Sequence, residues 1–339
     1  MIRSLCFSLL VLITLDSGMG FSQTDLPKDK KTLGKIEVLE SEFKTLIDPA
    51  EPIEILAEGF RWSEGPVWVP GEKALFFSDV PNNRIHKWQE GKPVTVFLNK
   101  SGFDASDKSA AREPGSNGLM LDSQGRLVVC DHGNRRVYRL EKDGSKTTLI
   151  DRFEGKRFNS PNDLIIHSNG DIYFTDPPYG LADQSKRELD YFGVYRLTPA
   201  GKVSVVTRGL QRPNGIALSP DEKTLYVAQS HKPAAKYFAF EIHGDGSFSK
   251  GQVIHDATEL AQSETGLPDG MVVDKNGNLW ATGPGGVLVI SPSGNLLGRV
   301  VTGVATANCT FGEDGSTLFM TAGKYLLRVK TKTRGLGFQ

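Results

Sequence analysis

The chain has 339 residues, and its 40 lysines and arginines balance its 40 aspartates and glutamates. A chain without net charge and without a long run of one sign of charge has little electrostatic attraction for nucleic acid or for an anionic membrane surface, so we expect neither as a partner. Glycine is frequent, at 37 residues, and short apolar runs alternate with turn residues throughout. This composition predicts an all-β protein with many short strands.

The first residues have the pattern of an export signal. Arg3 precedes an apolar run from Leu5 to Leu15, which is too short to cross a bilayer as a helix, and small residues suited to a signal peptidase end at Ser22. The mature protein would be periplasmic or secreted, without stable membrane insertion, and an uncleaved membrane anchor is the alternative. The predicted organisation is a signal peptide over residues 1–22, a flexible leader over 23–35 and a single domain over 36–339.

Six segments share one pattern, in which a polar residue precedes an apolar run, a turn and a second apolar run. The second run begins 10 or 11 positions after the polar residue in every segment. The six polar residues are Glu64, Asn117, Asn162, Asn214, Asp269 and Asn308. Third and fourth apolar runs follow in several segments, and the segments recur every 40 to 55 residues or so. Four short strands at this spacing are typical of propeller blades.

The pattern therefore predicts a six-bladed β-propeller with four-stranded blades around a central metal-binding channel. The last segment has three clear strands, so we expect a strand from before Glu64 to complete that blade and close the ring. Cys130 and Cys309 lie in apolar, strand-like surroundings, which favours buried free thiols over a disulfide.

In a propeller, the first strand of each blade lines the channel, so the six polar residues would meet around one axis. Two carboxylates and four amides form an all-oxygen site, which hard divalent cations such as Ca²⁺ prefer. The alternative is that these Asn-Gly and Asp-Gly pairs are ordinary turn residues. Six such residues in register favour the channel site. Two loop residues, His132 and Tyr179, each follow the second strand of a blade and are expected to project toward a loop face. The alternatives are that His132 is a surface histidine or a local turn anchor, and that Asp176-Pro177-Pro178 is a loop made rigid by proline.

Several stretches resemble the gluconolactonase family, which includes regucalcin, the senescence marker protein. They include Trp62-Ser63-Glu64-Gly65-Pro66-Val67-Trp68, Ser160-Pro161-Asn162-Asp163, Tyr173-Phe174-Thr175-Asp176-Pro177-Pro178-Tyr179, Arg212-Pro213-Asn214-Gly215 and Pro268-Asp269-Gly270. The resemblance covers residues 40–330 approximately and implies a six-bladed propeller with one divalent metal, usually calcium, with Zn²⁺, Mg²⁺ and Mn²⁺ as alternatives. It implies metal ligation by Glu64, Asn214 and Asp269, with Asn162 contacting the metal site or the substrate.

The resemblance implies a metal-dependent hydrolase that opens a sugar lactone, such as glucono-1,5-lactone, to the aldonic acid. Asp269 is the first candidate for the catalytic base and Asp163 the second, while His132 is a candidate for proton transfer or for orienting hydroxyl groups. Asn162, Asn117 and Tyr179 are the candidate substrate-binding residues. The alternatives are a broader lactone or ester hydrolase and a non-catalytic sugar-binding propeller whose metal is structural. The expected partner is a small-molecule lactone, and the oligomeric state stays open.

Overall fold

The computed structural model describes residues 31–103 and 111–338. The expected signal peptide, and the expected leader as far as residue 30, lie outside the described residues. Pairing begins inside the expected leader, where Thr32 forms a β-bridge with Glu54 and the first strand starts at Lys35. No helix among the described residues is long and apolar enough to cross a bilayer.

Six antiparallel sheets follow one another along the described chain, and each is a propeller blade. From the channel outwards, blade 1 consists of Ser63–Val69, Ala74–Asp79, Arg84–Trp88 and Thr95–Asn99, and blade 2 consists of Ser116–Leu121, Leu127–Asp131, Arg136–Leu140 and Lys146–Ile150. In the same order, blade 3 consists of Leu164–Ile166, Ile172–Asp176, Gly193–Leu197 and Val203–Thr207, and blade 4 consists of Pro213–Leu218, Thr224–Gln229, Lys236–Glu241 and Gln252–Asp256. Blade 5 consists of Met271–Val273, Leu279–Gly283, Gly286–Ile290, Leu296–Val301 and Lys35–Val38, and blade 6 consists of Asn308–Gly312, Thr317–Ala322, Tyr325–Lys330 and Glu54–Glu58.

Little else is regular in the described residues. The remaining elements are a small hairpin of Arg152–Phe153 and Lys156–Arg157, the 3₁₀ turns Ser41–Thr45, Pro70–Glu72, Gln184–Lys186 and Lys232–Ala234, and one short α-helix, Leu260–Ser263. The predicted all-β, six-bladed architecture is confirmed.

The N-terminal strands join the last two blades. Glu54–Glu58 pairs antiparallel with Tyr325–Lys330, so the ring is closed by a strand from the start of the chain, as the sequence predicts. Lys35–Val38 pairs with Leu296–Val301 and gives blade 5 a fifth strand, where four were expected. The fifth strand covers an otherwise open sheet edge, which protects that edge from pairing with another chain.

The core lies between neighbouring blades. Blade 1 and blade 6, for example, share a cluster in which Leu75, Phe77, Phe319 and Leu326 are fully buried. Each buried side chain of this size contributes about 1.5–3 kcal/mol from the burial of apolar surface. Cys130 and Cys309 are free and buried, as predicted. This packing fixes the blades around the channel and so fixes the side chains that face it.

Candidate active site

A cavity of about 870 Å³ opens at the end of the channel where the innermost strands begin. Five of the six polar residues line it, and together they are called the cavity floor: Glu64, Asn117, Asn162, Asn214 and Asp269. Tyr179 also lines the cavity. Glu64 and the three asparagines are at most 4% exposed. The structure therefore brings together residues that are up to 205 positions apart in the chain.

Hydroxyl groups of one blade hold the backbone of the next. Ser78 Oγ donates to the carbonyl of Asn117 at 2.7 Å, and Thr175 Oγ1 donates to the carbonyl of Asn214 at 2.7 Å. Thr282 Oγ1 donates to the carbonyl of Ala307 at 2.9 Å. Each bond joins the second strand of one blade to the start of the first strand of its neighbour or to the residue just before it, so the side chains of the cavity floor project from fixed backbone positions.

Glycine follows several of these residues because the inner strands approach closely. A Cβ at Gly215 would lie 2.0 Å from the backbone oxygen of Asp269, and one at Gly65 would lie 2.1 Å from that of Asn117. Gly65 also has φ +44°, which side chains rarely adopt. In blades 1, 2 and 4 the inner strand shifts register at this point by a bulge. A bulge of this kind changes the direction of the side chains next to it, and here it directs them into the cavity.

Asn308 does not line this cavity, contrary to the sequence-based expectation. Asn162 and Asp269 each donate their backbone N–H to a carbonyl of the second strand, Thr175 and Thr282 respectively, and in blade 6 the residue that does so is Ala307. Asn308 is therefore one position further along its strand, where the side chain faces the other way. Its amide donates to Asp163 Oδ2 at 3.3 Å.

Both acids of the cavity floor have a raised pKa. Burial, followed by the nearby charge of Asp163, raises the pKa of Glu64 to about 8. Burial and then the charge of Glu64 raise the pKa of Asp269 well above its ordinary value. A cation bound between the two buried carboxylates would stabilise the ionised form of each and so lower both pKa values.

Two amide oxygens on the cavity floor have no hydrogen-bond partner within residues 31–103 and 111–338. Asn117 Oδ1 and Asn214 Oδ1 are buried and accept no hydrogen bond from any described group. A buried, unpaired carbonyl oxygen is costly, by about 1–3 kcal/mol, unless something else satisfies it. No group of three or more His, Cys, Asp or Glu residues in the described parts of the chain is arranged to hold a metal ion. The donor set that fits a hard cation is therefore mixed, with two carboxylates and amide oxygens.

His132 lies behind the cavity floor. Its ring is 1% exposed, and its Nδ1 lies 3.1 Å from Glu113 Oε2. Its Nε2 lies 3.4 Å from Asn117 Nδ2 and 3.3 Å from Asn162 Nδ2. Because amide nitrogens only donate, Nε2 must accept, and the ring proton sits on Nδ1, where the carboxylate of Glu113 accepts it. His132 thus turns the nitrogens of both amides towards itself and leaves their oxygens free to face away.

His132 and Asp163 were candidates for direct catalysis, but neither lines the cavity. His132 is separated from it by the two asparagines that it contacts. Asp163 faces the opposite half of the channel, in a second, largely apolar cavity, and accepts hydrogen bonds from Asn308 and from the backbone N–H of Leu164. Burial raises the pKa of Asp163 to about 7. Its side chain points away from the cavity because it is adjacent to Asn162, and successive strand residues face opposite ways.

Sequence reasoning missed several residues that surround the cavity. Glu113, which orients His132, lies outside the repeated segments, so only the fold brings it there. Ser230 bonds to the hydroxyl of Tyr179, whose pKa is raised by burial and which therefore stays a neutral donor and acceptor. The cavity is also lined by four cationic side chains, Arg61, Arg112, Arg212 and Lys232. Arg61 and Arg212 lie three and two positions before floor residues, a spacing that could have indicated them.

The family model described as SMP-30/Gluconolactonase/LRE-like region matches residues 62–324, which include all five floor residues and all six inner strands. The chain belongs to this family. The predicted family is confirmed, and with it the six-bladed fold that the family resemblance implied.

Individual relatives agree with this membership. A gluconolactonase of Zymomonas mobilis is 41% identical over 313 residues, covering 90% of this chain and 88% of that protein. The structure of a gluconolactonase from Xanthomonas campestris is 34% identical, with a TM-score of 0.78, covering 89% of this chain and 97% of that one. A regucalcin from Agrobacterium tumefaciens, described as a calcium-binding protein, is 18% identical with a TM-score of 0.66, covers 83% of this chain and 94% of that one, and shows the fold alone.

Proposed function

We propose that this chain opens a sugar lactone, of the glucono-1,5-lactone type, to the aldonic acid with the help of one divalent cation. The enzyme class, a lactonase, follows from its family and from relatives named gluconolactonase at 41% and 34% identity. The substrate class is supported by those names and by the polar lining of the cavity. Ca²⁺ is the proposed cation, because the donor set consists of oxygens only.

The observation that carries the proposal is the composition of the cavity floor. Two enclosed carboxylates with raised pKa values face the same cavity as two buried amide oxygens that have no hydrogen-bond partner in the described part of the chain. One divalent cation would balance the two negative charges and satisfy the free oxygens. We assign Glu64, Asn214, Asp269 and Asn162 as its ligands, with Asn117 beside them. When bound there, the cation would supply Lewis-acid stabilisation to the lactone carbonyl oxygen as negative charge develops on it.

Asp269 is the residue that we assign as the catalytic base. It lines the cavity, and it is partly exposed, whereas the other floor residues are buried, so a water molecule can reach it. It accepts a proton from water as the water oxygen bonds to the carbonyl carbon. It returns that proton to the ring oxygen as the ring C–O bond breaks, which regenerates the carboxylate. Asn162 and Tyr179 would hold substrate hydroxyl groups on the cavity wall.

A lactone-panel assay tests the proposal on the mature protein, stripped of metal and then given Ca²⁺, Zn²⁺ or Mn²⁺ in turn. We expect hydrolysis of sugar lactones to return with the cation, and Asp269→Asn to lower kcat by about 10²–10⁴-fold, the usual contribution of a general base. Asp245→Asn, in an exposed turn, is the matched control. Full activity in Asp269→Asn would refute the assignment of the base. Calcium binding without turnover of any lactone or ester would instead support a non-catalytic binding propeller.

A further inference from the structure

The wall of the cavity above the floor carries four positive side chains. Arg61, Arg112, Arg212 and Lys232 all line the cavity and are exposed. None of the four forms an ion pair with a described residue. Most other arginines of the blades do form one, for example Arg196 with Asp171 and Arg328 with Glu54, both away from the cavity.

The acids that line the same cavity are already engaged. Glu113 accepts from His132, and Glu264 lies 3.6 Å from Arg299. The two remaining carboxylates belong to the cavity floor, where they face the proposed cation site. The wall is therefore left with an excess of positive charge, and a concave, low-dielectric wall concentrates the resulting field on any anion inside it.

The backbone of Arg212 is held in an uncommon conformation. Its φ is +54°, a left-handed value that costs about 1–2 kcal/mol for a residue with a side chain. Two hydrogen bonds maintain it: Gln229 Oε1 accepts from the backbone N–H of Gln211 at 2.8 Å, and the carbonyl of Arg212 accepts from the N–H of Ser230 at 3.0 Å. Gln229 is 6% exposed, so the anchor is internal.

Arg61 has a similar anchor in blade 1. The carboxylate of Asp79, which is 1% exposed, accepts from the backbone N–H groups of Arg61 at 3.2 Å and of Trp62 at 3.2 Å. Asp79 and Gln229 end the second strands of their blades, so equivalent positions of two blades hold an arginine at the cavity. A guanidinium group offers a planar fork of donors that matches a carboxylate or a phosphate.

We propose that the preferred substrate is a lactone that carries an anionic group, a carboxylate or a phosphate, at the end of the molecule away from the reacting carbonyl. This inference rests on the proposed lactonase function and narrows its substrate class. The lactone carbonyl would lie at the floor, and the anionic group would lie against one of the arginines of the wall, of which Arg61 and Arg212 belong to opposite blades. A cavity of 870 Å³ is larger than one neutral hexose lactone requires and leaves room for such a group.

The test compares three probes: glucono-1,5-lactone, which is neutral, 6-phosphoglucono-1,5-lactone and glucaro-1,4-lactone, which carries a carboxylate. We expect at least one anionic probe to exceed the neutral one in kcat/KM by about tenfold or more at low salt, since a hydrogen bond to a charged group contributes roughly tenfold or more. Raising the salt from about 20 to about 300 mM should reduce that advantage, because screening weakens attraction between exposed charges. The probe that benefits identifies the group as phosphate or carboxylate.

A double variant, Arg61→Gln with Arg212→Gln, tests the residues. It should lower the ratio of anionic to neutral kcat/KM by about tenfold or more. Arg84→Gln is the matched control, because Arg84 is exposed, has no described ion-pair partner and does not line the cavity; its ratio should match that of the parent protein. Equal kcat/KM for all three probes, or an unchanged ratio in the folded double variant, would overturn the inference while leaving the lactonase function intact. Absence of hydrolysis of every probe would overturn the proposed function itself.

Discussion

Replacing Glu113 by Ala removes the carboxylate that fixes the proton of His132. In the native protein, Nδ1 of His132 donates to this carboxylate, and Nε2 accepts from the side chains of Asn117 and Asn162. Without Glu113, the proton is free to move to Nε2, which then becomes a donor. Both amides would have to turn over to accept from it, and their nitrogens, which are donors, would face the cavity in place of their oxygens.

The expected magnitude follows from the role of groups that orient a metal ligand. Loss of such a group commonly lowers metal affinity by about 10–100-fold, which corresponds to about 1.4–2.7 kcal/mol. We expect Glu113→Ala to weaken Ca²⁺ binding within this range and to lower kcat/KM for the lactone in parallel. Glu113→Gln should retain most of both, because the amide oxygen of glutamine can still accept from Nδ1–H.

Calorimetric titration of the metal-stripped variants with Ca²⁺ measures the affinity independently of turnover. Thermal unfolding of the same samples reports whether each variant is folded. If folded Glu113→Ala binds Ca²⁺ and hydrolyses the lactone within twofold of the parent protein, the orienting role of His132 is refuted. If Glu113→Gln is as impaired as Glu113→Ala, the negative charge of the carboxylate, and not the position of the proton, is what matters.

Three further outcomes are expected. Asn214→Ala should weaken Ca²⁺ binding by about tenfold or more, because one ligand is lost. Asn308→Ala should leave the Ca²⁺ affinity unchanged and lower the free energy of unfolding by about 1 kcal/mol. If the titration shows weaker Ca²⁺ binding for Asn308→Ala than for Asn214→Ala, the assigned register is contradicted. Gly215→Ala should destabilise the protein by about 2 kcal/mol or more, because the added Cβ would lie 2.0 Å from a backbone oxygen. Gly71→Ala should not destabilise it, because no atom lies within 4 Å of a Cβ added there. Equal urea midpoints for the two variants would contradict this prediction. The pKa of Glu64 is raised by burial to about 8 from 4.5, so the folded state favours the neutral acid. The contribution of Glu64 to the free energy of unfolding of the metal-stripped protein should be greatest below pH 4.5 and fall, by a few kcal/mol, as the pH rises to about 8. Urea unfolding across this range should therefore show a steeper decline for the parent protein than for Glu64→Gln, saturating Ca²⁺ should largely remove the difference, and parallel profiles without Ca²⁺ would count against the raised pKa.

Repetition made the architecture predictable. The same order of polar residue, apolar run and turn recurs six times, and each repeat describes one blade whose partners are close in sequence. The closing strand was also predictable, since the last segment lacked one and a candidate preceded the first. The fifth strand of blade 5 was not, because nothing in Lys35–Val38 indicates which sheet edge it covers.

In blade 6, the spacing of residues along the sequence predicts the wrong residue at the cavity. The offset of 10 between Asn308 and its second apolar run matches those of Asn162 and Asp269. In the structure, the turn between the first two strands of blade 6 leaves Gly312 paired with Thr317, and the strands remain in continuous register from Asn308 onwards. The position equivalent to Asn162 falls on Ala307. A difference of one residue in the turn reverses the side of the strand that faces the cavity.

The stretch around Glu64, with its counterparts, was sufficient to determine the family, the propeller and most of the cavity floor, because these depend on local patterns that each blade repeats. Only the tertiary structure could decide which residues act together across blades. It placed Glu113 beside His132, directed Asp163 away from the cavity, put Ala307 at the position expected for Asn308 and arranged Arg61, Arg112 and Arg212 around the cavity. These relations depend on the register of pairing and on contacts between segments far apart in the chain, and neither is encoded in the pattern of a single blade.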